Sequence, residues 1–249
     1  LWMLAIVMSW DSQNAMEFMS ARTFESYGKF FATYLDQSHR LLDVGCGPGT
    51  ITVGLATKVA SVHAIDFDAS QTEIARQLAE RERRQNVTFA TGSCYELPYD
   101  DQSFDRVFSH ALLEHLAEPV RALTEFRRVL KPGGLLGVCS PDFGGRMLIP
   151  SSPEIEQAAD AYAQLQSKNG GDLNAGRKLR AYLSEAGFGD VKLQARYECY
   201  PSLEFISEYL ALQLEQAGMS QHAACLREWS QSSPGMFAQT WVSAVSTKP

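Results

Sequence analysis

Leu41-Leu42-Asp43-Val44-Gly45-Cys46-Gly47-Pro48-Gly49-Thr50 decides how the rest of the chain is read. Its apolar opening is too short for a helix and is bounded by glycines, so it predicts a buried parallel strand. Three glycines in five residues follow, and glycine lets backbone N–H groups approach a ligand with no Cβ in the way. Ile51, Val53, Leu55 and Ala56 then carry helical spacing. The unit is therefore strand, glycine turn, helix, with the positive end of a helix dipole expected behind the turn. A dinucleotide fingerprint would place glycine where Thr50 stands, which speaks against an NAD-dependent oxidoreductase.

The chain has 249 residues, 45% of them apolar, and a net charge of −7. That suits one α/β domain with a substantial core and appended helices. An acidic balance without a basic tract argues against nucleic acid as partner. Five scattered cysteines form no C-x-x-C pair and the five histidines no ligand array, so reduced thiols, no metal and a cytoplasmic setting are expected. The apolar opening Leu1–Met8 stops at Ser9-Trp10-Asp11 and lacks a basic flank. It reads as a flap over the active site, not a membrane anchor or signal peptide.

In chain order, residues 14–37 read as a helix with an aromatic stripe that includes Phe18, Phe24, Tyr27, Phe30, Phe31 and Tyr34. The stripe suits core packing and a cap over a bound cofactor equally, and Arg22 and Tyr27 are its polar members. Residues 61–66 form a strand ending in Asp66, 21 residues beyond Gly45, near the spacing at which ribose-binding acids follow a glycine turn. Asp68 and Ser70 are better placed to cap the next helix, which leaves Asp66 for a ligand, with Phe67 beside it for the adenine face. Strands are predicted at 86–91 and 103–110, the latter delivering His110 at its tip, where open α/β sheets bind ligands. A helical turn over 111–116, a helix over 119–130 stopped by Pro132 and Gly133, and a strand over 135–140 follow. Beyond, Ser152 and Pro153 start a helix, and Asn174 caps another. Strands at 191–199 and 236–246 flank helices over 202–217 and 221–230.

Three landmarks carry a family likeness: Asp43-x-Gly45-x-Gly47-x-Gly49, the run Gly92-Ser93-Cys94-Tyr95-Glu96-Leu97-Pro98, and Phe104-Asp105 … Glu114-His115-Leu116 … Arg128-Val129-Leu130-Lys131-Pro132-Gly133-Gly134. The chain resembles the class I S-adenosylmethionine-dependent methyltransferases, in particular the small-molecule branch that includes quinone methyltransferases. The resemblance implies a three-layer, doubly wound α/β fold with a seven-stranded sheet of order 3-2-1-4-5-7-6, its last strand antiparallel. Residues 1–39 would be an N-terminal helical lid, and 40–249 the catalytic domain with cap insertions at about 141–176 and 200–233. It also implies S-adenosylmethionine held by Asp43, Gly45, Cys46, Gly47 and Gly49, with Asp66 and Phe67 on the adenosine. Ser93 stands where the family carries an adenine-binding acid, and Cys94 offers its backbone N–H there. Tyr27 and His110 complete the cofactor set.

Methyl transfer needs a nucleophile held in line with the sulfonium methyl, and a hydroxyl or carbon nucleophile gains from a general base. His110 and Glu114 at i and i+4 would share a helical face, and Asp142 follows the fifth strand. These three are the candidate catalytic groups. Phe143, Arg146, Tyr162, Tyr197 and Tyr200 are candidate acceptor-lining groups, suited to a flat or cationic small molecule. The competing reading keeps the cofactor without methyl transfer, as in an intramolecular cyclisation that releases methylthioadenosine.

Overall fold

A computed structural model describes residues 19–200, 202–231 and 234–249. Seven strands form one sheet: β1 (Arg40–Val44), β2 (Ser61–Asp66), β3 (Val87–Thr91), β4 (Phe104–His110), β5 (Leu130–Ile149), β6 (Gly189–Cys199) and β7 (Met236–Thr247). Their order is 3-2-1-4-5-7-6, the order that the resemblance implied. β1, β2, β3, β4 and β5 pair in parallel, and β7 runs antiparallel to both β5 and β6. β1 and β4 are buried almost throughout, as strands covered on both faces must be.

Among the described residues the α-helices are α1 (Thr52–Leu55), α2 (Ala69–Arg81), α3 (Pro119–Val129), α4 (Pro153–Lys168), α5 (Ala175–Glu185), α6 (Leu203–Gln216) and α7 (Ser220–Ser230). On one face of the sheet Leu123 and Phe126 of α3 and Leu179 and Leu183 of α5 pack with Leu42, Val107 and Leu136. On the other, Phe24 and Phe31 pack with Leu41, Leu55, Val62 and Phe108.

Several expectations need correction. The aromatic stripe is not one long α-helix: its described part is a π-helical turn, Phe24–Gly28, followed by a 3₁₀ segment, Lys29–Tyr34. Gly28 sits at their junction, where a Cβ would lie 2.4 Å from the Phe24 ring. Residues 1–18, including the apolar opening, lie outside the described residues. The strand expected over 135–140 extends to Ile149, and Met147, Leu148 and Ile149 continue its pairing with β7 beyond an irregularity after Asp142. A long partner strand on one edge sustains this length. Asn174 does not cap α5; its Oδ1 accepts the Gly144 N–H at 2.7 Å, fastening β5 to the helix start. Asp68 alone caps α2.

The two stretches expected as separate insertions fold together. α4, α6 and α7 enclose a second core of Phe143, Leu148, Tyr162, Leu210, Leu226 and Trp229. Arg227 binds Glu208 and Glu215 at 2.8 Å each, joining α7 to α6. Trp229 Nε1 donates to the Pro150 carbonyl at 2.8 Å. The two stretches therefore share one core, built on the carboxyl half of β5.

Candidate active site

The glycine turn leaves β1 where the strand order reverses between β1 and β4, the position at which open α/β sheets bind ligands. Gly45, Gly47 and Gly49 all have positive φ (74°, 50° and 79°), a region that costs other residues about 1–2 kcal/mol. A Cβ on Gly47 would meet nothing within 4 Å, so that residue floors open space. The helix behind the turn is shorter than its pattern predicts, only Thr52–Leu55. A macrodipole needs a longer run of aligned peptides, so the turn's donors are its own N–H groups.

Asp43 is buried and accepts the Thr52 hydroxyl at 2.6 Å, a clamp from β1 to α1 across the turn. Burial pushes its carboxyl up to about 7, against the lowering pull of the Thr52 bond. Cys46 lies in the turn, its thiol raised well above the ordinary range by burial. Asp66, at the tip of β2, accepts the Gly47 N–H at 2.8 Å and the Asp68 N–H at 3.0 Å. A carboxylate has about four lone-pair positions, so these bonds leave capacity for a ligand hydroxyl. Phe67, 82% exposed, stands beside it. Ser93 spends its hydroxyl oxygen on the Tyr95 N–H at 3.1 Å. Cys94 is partly buried, its thiol raised to about 11 by burial. These groups lie along the tips of β1, β2 and β3, and the donor and acceptor set suits an adenosyl group.

The other half of the site is aromatic. The His110 ring stacks on Trp241 of β7 at 4.9 Å and 19°, and Tyr27 stands edge-on to both, at 4.8 and 5.6 Å. His110 is 7% and Trp241 2% exposed. His110 Nε2 and Trp241 Nε1 nevertheless have no hydrogen-bond partner among the described residues. Burial, then the charges of Arg22 and Arg196, hold the imidazole well below its usual range, so it is neutral at pH 7. The Arg196 guanidinium lies 4.6 Å from the Tyr27 ring centre, and that of Arg22 5.1 Å from Trp241.

His110 and Glu114 do not share a helical turn. His110 ends β4, Ala111 takes φ 54°, and only Leu113–His115 is helical, in 3₁₀ form. Glu114 is nonetheless buried; its Oε2 accepts the Ser140 hydroxyl at 3.1 Å, and burial raises its carboxyl to about 7. The Asp172 N–H donates to its carbonyl at 2.6 Å, tying the turn to the cap. His115, on the same turn, is exposed.

Asp142 lies within β5 and pairs with Arg177 of α5, Nη2 to Oδ1 at 2.6 Å. Arg146 binds Glu156 at 2.8 Å and Asp160 at 2.7 Å on α4, its guanidinium over the Phe143 ring. Phe143 and Tyr162 belong to the cap core, their rings 5.6 Å apart. Tyr200 packs on Phe237 and donates to Gln239 Oε1 at 3.4 Å. Tyr197 points away from the core on the edge strand, 54% exposed. Of the expected acceptor-lining set, Tyr162 and Tyr200 feel the charge of Arg22, as do His110 and Glu114. Sequence reading missed Thr52, Ser140, Arg196 and Trp241. Thr52 carried a signal, a hydroxyl at the start of the helix that follows the acid and the turn; Trp241 carried none, for tryptophan in a final strand reads as core.

Fold and crevice together define a Rossmann-like domain with an open glycine turn at the β1/β4 switch point. The family model "Methyltransferase domain" matches residues 42–138. Over that stretch the chain carries a methyltransferase domain, and it is similar to the class I S-adenosylmethionine-dependent methyltransferases. It is 34% identical over 175 residues to an uncharacterized methyltransferase of Schizosaccharomyces pombe, covering 67% of this chain and 63% of that protein. It is 30% identical over 181 residues to a 27-O-demethylrifamycin SV methyltransferase of Amycolatopsis mediterranei, covering 72% and 64%. The chain thus spans less than two thirds of the length of these relatives. Among solved structures, the [4+2]-cyclase SpnF superposes with a TM-score of 0.58 at 25% identity, over 95% of this chain and 82% of that one. No helix of the described residues is long and apolar enough to cross a membrane.

Proposed function

We propose that this chain transfers a methyl group from S-adenosylmethionine to a small molecule held between the sheet edge and the cap. One observation carries the reading: at the tip of β4, beside the glycine turn, His110 packs with Trp241 and Tyr27 in a buried aromatic cluster whose His110 and Trp241 ring nitrogens have no partner among the described residues. The rifamycin relative, named for a small-molecule acceptor, supports it.

The bound cofactor supplies a sulfonium-activated methyl. Asp66 accepts the ribose hydroxyls while keeping the Gly47 N–H, so sugar and turn are fixed together. Asp43 acts through Thr52, holding the turn's shape. Ser93 and Cys94 border the adenine through hydroxyl and backbone, and Phe67 covers its face. Tyr27 packs edge-on to His110.

Positioning provides most of the rate for in-line displacement. Glu114 is the general base: its carboxyl near 7 is matched to neutral pH. His110 is too weak a base for that role and orients the nucleophile through Nε2. Asp142 is tied to Arg177 and takes no part in the proton transfer. Incubating the chain with S-adenosylmethionine and a panel of small phenols, enols and amines tests the reading. Methyl transfer leaves S-adenosylhomocysteine and a methylated acceptor.

A second reading has one specific support, the SpnF likeness. The chain would then bind the cofactor and guide a rearrangement beside the same cluster. The same incubation separates the two, for no S-adenosylhomocysteine would form.

A further inference from the structure

The sheet ends in two strands that have no outer neighbour among the described residues, β3 and β6. β3 is short, only Val87–Thr91. β6 is more than twice as long, Gly189–Cys199, and from Lys192 to Cys199 it pairs with β7 without a break. A long regular edge leaves a row of backbone N–H and C=O groups open to another strand, and proteins blunt such edges with proline, bulges or shortness. β6 has one irregularity, between Gly189 and Lys192, and no proline. Its side chains add apolar surface to that edge. Leu193 is 41% and Tyr197 54% exposed, and Ala195 between them is exposed too. Strand alternation puts all three on one face.

The strand is complementary to itself. In a two-fold antiparallel pair of β6 with β6 of a second copy, directly opposite residues share a face. With Ala195 on the two-fold axis, Leu193 meets Tyr197, Lys192 meets Glu198, and Gln194 meets Arg196. Lys192 has no carboxylate partner among the described residues; its Nζ lies 5.8 Å from the Tyr34 ring centre. Glu198 holds Arg196 at 3.0 Å, and a carboxylate has acceptor positions to spare for a second cation. Sliding the pair by two residues spoils the match. Lys192 then faces Arg196 in one direction, and Arg196 faces its own copy in the other, and like charges directly opposite are destabilising. A foreign acidic strand would suit Lys192 and Arg196 but not Glu198. The second copy suits every position.

We propose that two copies of this chain associate edge to edge through β6, joining their sheets into one. The backbone ladder supplies the attraction. The contacts of Lys192 with Glu198 and of Leu193 with Tyr197, each made twice across the axis, set the register. β7, β5 and β4 lie between β6 and β1, so the glycine turn of each copy stays outside the contact. The dimer goes beyond the methyltransferase reading and does not depend on it. It also gives Tyr197, expected on the acceptor, a different partner.

Sedimentation equilibrium of the full chain tests this. A contact confined to one strand edge is small, so a monomer–dimer equilibrium with a micromolar Kd is expected over roughly 1 to 100 μM protein. Lys192→Glu and Glu198→Lys should each weaken the dimer about tenfold, because each puts two like-charged pairs across the axis. The double variant exchanges the two charges and should recover most of the affinity. That recovery separates a lost contact from a damaged monomer, and a thermal melt of each variant at low concentration checks the fold directly. A monomer at every concentration overturns the proposal and leaves the edge to another occupant. A dimer indifferent to both single variants, or one that the double variant fails to restore, overturns it as well.

Discussion

The carboxylate of Asp66 accepts the N–H of Gly47 at 2.8 Å, across 19 residues of sequence. One acid at the tip of β2 therefore fixes the turn that floors the crevice. Asp66→Ala should raise the Kd for S-adenosylhomocysteine roughly 10- to 100-fold, from the loss of about 1.5–3 kcal/mol in charged hydrogen bonds. Asp66→Asn should weaken it less. Calorimetry reads both, and an unchanged Kd in the alanine variant removes the ribose role.

Gly47 and Gly49 separate binding from stability. Both have positive φ, but a Cβ on Gly49 would lie 2.8 Å from the Ala75 Cβ and 3.1 Å from its Cα, whereas one on Gly47 meets open space. Gly49→Ala should lower stability by about 2–3 kcal/mol or more, combining backbone strain with the collision. Gly47→Ala should cost about 1 kcal/mol of stability and chiefly weaken cofactor binding. Denaturant melts alongside calorimetry distinguish them.

The fold was legible because β1, the glycine turn and Asp66 are local. Apolar runs, turn glycines and an acid at a strand tip signal themselves within a few residues. The acceptor side was not. Arg196, Trp241 and His110 meet only through the pairing of three strands, and nothing in the sequence around Trp241 marks it. His110 and Glu114 looked like a helical pair because helical spacing was assumed; the positive φ of Ala111 is a backbone choice that residue identity does not announce. Asp142 stood out at the end of a predicted strand, yet β5 runs past it and Arg177 takes it.

Stability should fall as pH rises from about 4 to 7. The buried carboxyls of Asp43 and Glu114 titrate near 7 in the folded chain, against ordinary values of 3.8 and 4.5. Over that window the folded state holds protons the unfolded chain has released, so rising pH favours unfolding, and the slope flattens above 7. Asp43→Asn removes one of the two groups yet leaves the Thr52 hydroxyl an oxygen to donate to. The fall in stability between pH 5 and 7 should shrink by an amount on the order of 1 kcal/mol or more. Thermal melts across pH check this; an unaltered slope rules Asp43 out as a source.

Among the candidate acids, Glu114 and Asp142 should part company. Glu114→Gln should lower kcat roughly 100-fold, within the range for loss of a general base, and abolish the rise in kcat/KM through about pH 7. Asp142→Asn, its charge partner Arg177 half exposed, should keep the pH limb and cost about 1 kcal/mol or less in stability. A pH–rate profile of each variant decides; a limb that survives in Glu114→Gln assigns the base elsewhere.

Titration of the chain with S-adenosylhomocysteine by isothermal calorimetry bears most directly on the adenosyl crevice at the β1/β4 reversal. One site per chain, lost in Asp66→Ala, is the expected result. Heats indistinguishable from dilution at millimolar ligand would contradict it.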